Sequence, residues 1–244
     1  MAYLPVVKGP AESGNADPAP TGPANGPIPG PREGREEMQL DGLDAPVKTR
    51  IERNALGLFA AKGYADTSVR EIVEAAGITK PTLYYYFGSK DGLYVHLVTS
   101  TLETFYSEAE AIAAGPASAA ERLRAIINLH FRWAARSPLL AVFLYRALFG
   151  MTSETPKFDF GKYADKDRSL ILQVLREGAE AGEIPPSAVS DFSVIQFGGL
   201  VNIYVTRQAL GLGDELGDEL AGKIVGLFLD GVRGQGRLAE EARS

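Results

Sequence analysis

Residues 67–92, TSVREIVEAAGITKPTLYYYFGSKDG, predict a helix, a tight turn, a second short helix and the start of a third. Ser68 and Glu71 have the S-x-x-E spacing of a capping box at a helix start. Apolar residues then recur at helical spacing as far as Ala76. Gly77 suits the left-handed conformation in which many helices end. Two short helices joined by such a turn are typical of a helix-turn-helix, whose second helix enters the DNA major groove.

The second helix is predicted to begin with Thr79 as its cap and Pro81 in its first turn, where the missing N–H costs little. Leu83, Tyr86 and Phe87 have the spacing of an inward face. Three consecutive tyrosines cannot all be core residues, because successive helical positions point in different directions. The outward residues could reach base edges and phosphates, and they are Thr79, Lys80, Thr82, Tyr84 and Tyr85.

This stretch resembles the TetR family of bacterial transcriptional regulators. The resemblance is carried by residues 67–72 (TSVREI), 75–84 (AAGITKPTLY), 86–87 (YF) and 89–93 (SKDGL), together with the F-A-x-x-G-Y pattern at 59–64. Pro81 stands where the family often has a small residue, and Tyr85 where it often has His. The resemblance and the pattern together predict these DNA-contacting residues: Lys48, Thr67, Ser68, Arg70, Thr79, Lys80, Pro81, Thr82, Tyr84, Tyr85 and Lys90.

Basic residues lie near the predicted starts of the first and fourth helices, and each group has two open interpretations. Lys48, Arg50 and Arg53 lie near the start of the first helix and could contact the DNA backbone or form a solvated face. Lys90 lies at a helix start, where a cation opposes the helix dipole. Its position at this helix start therefore favours a phosphate contact over a merely solvated lysine.

Composition excludes several classes of protein. The 244 residues contain no cysteine and two histidines, His96 and His130, so a thiolate site is excluded and a histidine metal cluster is disfavoured. We expect no cofactor, no membrane span and a cytoplasmic protein. The net charge of −6 is unevenly distributed, because residues 47–92 carry seven basic and five acidic residues. Such a local positive balance is compatible with DNA binding.

The chain is predicted to be all-α, with four parts. Residues 1–46 form a disordered tail rich in Pro and Gly. A three-helix helix-turn-helix domain spans 47–92, a helical domain for effector binding and dimerisation spans 93–233, and a flexible tail spans 234–244. A long helix from Lys90 is expected to link the two domains as a lever.

The last two helices, predicted at 188–210 and 214–232, are rich in apolar residues, and the first of them is apolar on nearly all sides. This pattern predicts burial all round and favours a homodimer that forms a four-helix bundle with the partner chain. The resemblance implies the same pair of helices as the dimer interface.

The resemblance also implies a small-molecule pocket in the C-terminal domain. Aromatic residues with a few polar groups are typical of such pockets, although aromatic residues at helical spacing are also typical of a core. We expect a hydrophobic or aromatic effector, and the arginines would allow an anionic group on it. The predicted effector-binding residues are Trp133, Phe143, Arg146, Phe149, Tyr163, Gln196 and Tyr204. Further candidates are Met151, Phe158, His130, Gln173, Asn202 and Arg207.

The predicted function is therefore a dimeric repressor that binds a palindromic operator in double-stranded DNA and is released by a small molecule. A regulator without a small-molecule effector, such as an activator or one controlled by a protein partner, stays open. An enzyme is disfavoured because the chain lacks a P-loop, a serine elbow and a Glu-x-x-His pair. His130 lies on an apolar helix face and is expected to be a satisfied core residue.

Overall fold

A computed structural model describes residues 46–149, 153–212 and 215–241. These residues form α-helices and one 3₁₀ turn, with no strand among them, which confirms the all-α prediction. The helices are α1 (Val47–Lys62), α2 (Val69–Ala76), α3 (Lys80–Phe87), α4 (Lys90–Ala113), α5 (Ala119–Arg136), α6 (Pro138–Phe149), α7 (Phe160–Glu180), α8 (Asp191–Ala209) and α9 (Asp218–Glu241). Residues 1–45 of the predicted tail (1–46) and Met151 lie outside the described residues.

The local signals in residues 67–92 produce the helix boundaries that they predict. Ser68 accepts a hydrogen bond from the backbone N–H of Glu71, and the Glu71 carboxylate accepts one from the Ser68 backbone N–H, which completes the capping box. Gly77 has φ 62° and ψ 44°, the left-handed conformation that any residue with a Cβ adopts at a cost. The chain therefore turns sharply between α2 and α3.

The α1–α3 unit is held by a small apolar core. Ile51 and Phe59 of α1, Ile72 of α2 and Leu83 of α3 are almost fully buried. Arg50 joins α1 to α2, because its guanidinium donates hydrogen bonds to the backbone oxygens of Ala76 and Gly77 at 3.1–3.3 Å. One of the basic residues considered for the DNA backbone thus satisfies the last carbonyls of α2.

The two domains are joined by α4 and by an aromatic cluster. α4 runs for 24 residues from its contact with α3 to its packing on α5 and α7. The aromatic cluster consists of Phe59 of α1, Tyr64, Tyr94 of α4 and Phe143 of α6, and adjoining ring centroids lie 5.0–6.3 Å apart. α6 also packs along α1. A movement of α6 would therefore change the contacts that α6 makes with α1 of the DNA-binding domain.

The C-terminal helices differ from the prediction in two respects. α8 was predicted to be buried all round, but only one face is buried, with Phe197 and Val201 2% exposed. Its other face carries Phe192, Ile195 and Ile203, which are 45–57% exposed. α9 continues to Glu241, through the predicted tail that begins at 234, because its last turns contain good helix formers. No helix in the described ranges is long and apolar enough to cross a membrane.

Candidate DNA-binding surface and ligand cavity

α3 presents a polar and aromatic surface to solvent. Lys80 and Pro81 are exposed in its first turn, and Tyr84 and Tyr85 are 46% and 84% exposed. Thr79 occupies the cap position but makes no capping hydrogen bond, and its hydroxyl instead lies 2.9 Å from that of Thr82. Its predicted role as a side-chain cap is therefore wrong.

Tyr86 corrects a second detail of the prediction. It was assigned to the inward face of α3, yet it is 41% exposed. Its ring contacts the neighbouring rings of Tyr85 and Phe87, with centroids 5.1 and 6.2 Å away. α3 is so short that Leu83 alone is fully buried, while Phe87 is half-buried. Tyr86 therefore adds to the exposed aromatic surface that begins with Tyr84.

Two predicted DNA-contacting residues have structural roles instead. The side chain of Thr67 is buried, and its hydroxyl donates to the backbone oxygen of Gly63 at 2.7 Å. The Lys90 ammonium donates to the backbone oxygens of Tyr64 and Thr67 at 3.1 and 2.9 Å, and it lies 4.0 Å from the centre of the Tyr64 ring. Lys90 thus fixes the loop between α1 and α2, where the sequence predicted a phosphate contact.

The other predicted contacts lie at the surface of the same unit. Ser68 is exposed at the start of α2, and Arg70 is exposed two residues later, where it pairs with Glu74 at 2.7 Å. Lys48 is half-exposed in the first turn of α1 and lies 3.7 Å from Glu52. These positions keep the side chains available to a phosphate backbone, and we retain them as predicted contacts.

Glu71 connects the capping box to α1. Its carboxylate accepts a hydrogen bond from the Lys62 ammonium as well as bonds from the backbone and hydroxyl of Ser68. These hydrogen bonds lower the pKa of Glu71 to about 2; the bond from Lys62 contributes most, and the bonds from Ser68 contribute less. This carboxylate therefore remains ionised at neutral pH and holds the start of α2 against α1.

A cavity opens in the C-terminal domain between α4, α5, α6 and α8. Its volume is about 70 Å³, below the roughly 300–1,000 Å³ of typical ligand pockets. The lining is mostly apolar, and no Lys, Arg, Asp or Glu contributes to it within the described ranges. The lining residues are Leu102, Phe105, His130, Trp133, Ala134, Leu140, Ala141, Leu144, Tyr145, Val201, Asn202, Val205, Thr206 and Ala209.

Most of the predicted effector-binding residues lie elsewhere, and Trp133 is the one that lines this cavity. Phe143 is buried in the aromatic cluster, and Tyr163 stacks on Tyr106 with ring centroids 5.9 Å apart. Gln196 lines a groove between α8 and α9 at the surface. Tyr204 is half-buried against the core without lining the cavity.

Arg146 and Phe149 were also predicted to bind the effector. Arg146 points toward Gly63, since a Cβ on that glycine would lie 3.7 Å from its guanidinium. The side chain of Phe149 lies outside the described residues. The residues that sequence reasoning missed, such as Phe105, Leu140 and Leu144, carry no sign in the sequence that distinguishes them from core positions.

His130 is the most unusual polar residue of the cavity. Its Nδ1 lies 2.9 Å from the backbone oxygen of Ile126, one turn earlier on α5. Its Nε2 is shielded from solvent and has no hydrogen-bond partner among the described residues. Burial lowers the pKa of this imidazole to about 3, so the ring is neutral at physiological pH. The prediction of a satisfied core histidine therefore holds for one ring nitrogen and is wrong for the other.

Comparison with known proteins identifies the DNA-binding unit. Residues 51–97, from the middle of α1 to the start of α4, match the family model described as bacterial regulatory proteins, tetR family. Residues 51–97 are a TetR-family DNA-binding domain. Its relatives are transcriptional regulators, and this TetR-family protein is a DNA-binding regulator in which α3 is the second helix of the helix-turn-helix.

Relatives extend the similarity beyond this unit. The TetR-family chain is 28% identical over 152 residues to the HTH-type transcriptional repressor KstR2 of Mycolicibacterium smegmatis, which covers 61% of this chain and 74% of that repressor. The fold is similar to that of FadR from Bacillus subtilis, solved in complex with stearoyl-CoA, with a TM-score of 0.64 and 22% identity over 75% of this chain and 98% of FadR. It is also similar to that of the ketosteroid transcriptional regulator KstR2 of Mycobacterium tuberculosis, with a TM-score of 0.61 and 22% identity over 79% and 97% of the two chains.

Within residues 46–149, 153–212 and 215–241, no three His, Asp or Glu side chains gather closely enough to hold a metal ion. The relatives are regulators, not enzymes.

Proposed function

We propose that this protein is a homodimeric repressor that leaves its operator when an apolar small molecule enters the cavity between α4, α5, α6 and α8. The observation that carries the proposal is the position of α6. One side of α6 forms a wall of the cavity, and the opposite side packs against the DNA-binding domain. A ligand that displaces this helix would therefore act directly on the domain that binds DNA.

The two sides of α6 contact different parts of the protein. Leu140, Ala141 and Leu144 face the cavity, whereas Phe143 packs on the rings of Phe59 and Tyr94. Leu139 lies near α1 as well, since a Cβ on Gly57 would come within 3.9 Å of its side chain. Packed interiors transmit small displacements because they have few voids to absorb them.

The small volume of the cavity supports ligand control through such a displacement. A molecule larger than about 70 Å³ must separate the walls, and two of these walls, α6 and α4, also contact α1. A ligand that binds the widened state more tightly than the closed state shifts the population toward it. Linkage then requires that DNA, which favours the other state, weakens ligand binding by the same factor.

An apolar ligand is favoured by the character of the lining. The walls are aliphatic and aromatic, and no charged side chain contributes to them among the described residues. One protein of similar fold is named a ketosteroid transcriptional regulator, and another is solved with stearoyl-CoA, which has a long apolar acyl chain. The predicted anionic group on the effector loses its support, because neither Arg146 nor Arg207 lines the cavity.

The homodimer is supported by the exposed face of α8 and α9. Phe192, Ile195 and Ile203 of α8 and Leu227 of α9 are 45–67% exposed, and apolar patches of this kind mark interaction sites. A Cβ added at Gly199 would meet no atom within 4 Å, so the surface is open there to a close helix approach. In a dimer with two-fold symmetry, the same apolar stripe of the partner subunit would cover this one.

The dimer is tested by sedimentation equilibrium of Ile195→Glu. We expect this variant to be a monomer with weakened operator binding, because a charge would be buried in the interface. Leu212→Glu is the matched control, since Leu212 is 57% exposed at the end of α8, outside the stripe. A dimer that survives Ile195→Glu unchanged would contradict the proposed interface.

Ligand control is tested by fluorescence anisotropy on an operator duplex with n-octanol as the probe. We expect the alcohol to raise the Kd for DNA in the wild type and to have little effect in Ala141→Phe, in which a larger side chain occupies the cavity. Equal effects on both proteins would show that release does not pass through this cavity. A regulator without a small-molecule effector would leave the Kd unchanged throughout.

A further inference from the structure

The hydrogen bond from His130 to Ile126 determines which ring nitrogen carries the proton. A backbone carbonyl oxygen only accepts hydrogen bonds, so Nδ1, which lies 2.9 Å from that oxygen, must be the protonated nitrogen. In the neutral ring, Nε2 then carries a lone pair and is an acceptor. The proton position follows from the contact geometry and does not depend on pH over the physiological range.

The Nε2 lone pair is enclosed by the cavity walls. This atom is shielded from solvent and has no partner in the described part of the chain. The imidazole lines the cavity, and the Phe105 ring stands edge-on to it with ring centroids 4.6 Å apart. Unpaired buried acceptors are rare in folded proteins because they forfeit a hydrogen bond to water. The atom is therefore suited to a donor that arrives with a ligand.

Given the proposed control by a cavity ligand, we infer that this cavity selects an apolar molecule with a hydroxyl group, which donates a hydrogen bond to His130 Nε2. A carboxylate, an ether or a thioester carries only acceptors, and such a group would place its lone pairs against that of Nε2. The inference thus separates alcohols from fatty acids and acyl thioesters of the same length.

The α8 wall offers groups that complement the oxygen of the same hydroxyl. Asn202 and Thr206 line the cavity one turn apart on α8, and the Asn202 amide makes no hydrogen bond to another described side chain. A hydroxyl group donates once and can accept twice. An alcohol between α5 and α8 could therefore donate to His130 and accept from Asn202, which neither an ether nor a carboxylate can do.

The neutral state of the His130 imidazole also favours a hydroxyl group over a carboxylate. Burial holds the pKa of His130 near 3, so the ring carries no positive charge that would attract a carboxylate at neutral pH. A cationic side chain is also absent from the cavity lining in the described ranges. An anionic head group would therefore lose its hydration without gaining a charge partner.

The test uses n-octanol, methyl octyl ether and octanoate, with the hexyl homologues as a second size. Trp133 is the single tryptophan of the chain and lines the cavity, so its fluorescence reports occupancy directly. We expect the alcohol to bind about five- to tenfold more tightly than the ether of matched chain length, as one neutral hydrogen bond allows. Octanoate should bind no better than the ether.

Two variants assign the preference to His130. In His130→Phe the acceptor is lost, and the alcohol and the ether should bind equally. Leu144→Val trims an apolar wall of the same cavity, and it should change the binding of all three ligands by a similar factor while keeping the difference between alcohol and ether. Circular dichroism establishes that each variant is folded, and the wild-type ligand series alone decides the question if His130→Phe does not fold.

The outcomes separate this inference from the proposed function. Equal binding of alcohol and ether to the wild type would overturn the hydroxyl preference and leave ligand control intact. Tighter binding of octanoate would also overturn it. If none of the probes changes Trp133 fluorescence, both the cavity as a ligand site and the hydroxyl preference are wrong. A preference that survives in His130→Phe would assign the hydroxyl to another acceptor.

Discussion

Phe143 on α6 packs edge-on against Tyr94 on α4, with ring centroids 5.4 Å apart, and this pair joins the cavity wall to the DNA-binding domain. The Phe59 ring of α1 contacts both of them. The proposed ligand control therefore has a defined contact through which it would act, and the contact can be altered without touching the cavity or α3.

Phe143→Leu should weaken the coupling between ligand and DNA. The shorter side chain loses the ring contacts to Phe59 and Tyr94, so a displaced α6 would move the DNA-binding domain less. We expect ligand binding at Trp133 to persist while the ligand-induced rise in the DNA Kd becomes smaller. The measurement is operator anisotropy with and without ligand.

The matched control is Phe131→Leu, at a comparably buried position of α5 (2% exposed). An equal loss of coupling in both variants would argue against a specific role for Phe143.

Lys80→Ala should lower DNA affinity without lowering stability. Lys80 is exposed at the N-terminus of α3, where a cation opposes the helix dipole, so its removal should leave the free energy of unfolding unchanged or slightly higher. We expect a loss of roughly 1–3 kcal/mol in operator binding if it contacts a base. Lys223→Ala removes an equally charged, exposed residue of α9 and should have no effect. Unchanged affinity and site preference in Lys80→Ala would mean that α3 does not bind DNA as assigned.

Lys90→Met should destabilise the DNA-binding domain. It removes the donor to the backbone oxygens of Tyr64 and Thr67, and unpaired half-buried acceptors cost about 1–3 kcal/mol. Lys48→Met, at a half-exposed position with one weak ion pair, should change the free energy of unfolding by less than about 0.5 kcal/mol. Thermal unfolding of the two variants makes the comparison. If Lys90→Met keeps full stability and loses only DNA affinity, the phosphate contact predicted from the sequence is the correct role.

His130 should make the protein less stable in acid. Its pKa falls from 6.5 to about 3 on folding, so the unfolded chain takes up a proton below pH 6.5 while the folded chain does not. Stability from this group is present above pH 6.5 and declines as the pH falls toward about 3. Denaturant unfolding of His130→Phe should show a flatter pH dependence over that range, and His96→Gln, which leaves His130 in place, should keep the decline. The same steep decline in all three proteins would assign it to other groups.

Local signals predicted the helix boundaries and the turn well, because they act within four residues. The Ser68–Glu71 capping box and the left-handed Gly77 are set by neighbours in sequence, and both occur as predicted. Tyr86 was placed inward on spacing alone, but an eight-residue helix buries only Leu83 fully. The sequence pattern cannot show how little of a short helix is covered by its neighbours.

Roles that depend on contacts distant in sequence could not be predicted in this way. Lys90 binds carbonyl oxygens 23 and 26 residues away, and nothing near it in the sequence indicates those partners. The aromatic residues proposed for the pocket, such as Phe143 and Tyr163, instead fill the core. The cavity lies between four helices, and its position depends on their packing rather than on residue type.

The central claim is that α3 reads a specific DNA site and that two copies do so together. Selection from randomised duplex DNA at near-physiological salt tests it most directly, with the wild type and Lys80→Ala run side by side. We predict that the wild type enriches a pseudo-palindrome with half-sites about one helical turn or slightly more apart, and that Lys80→Ala changes or weakens the half-site. Enrichment of no sequence by the ligand-free wild type would contradict the claim.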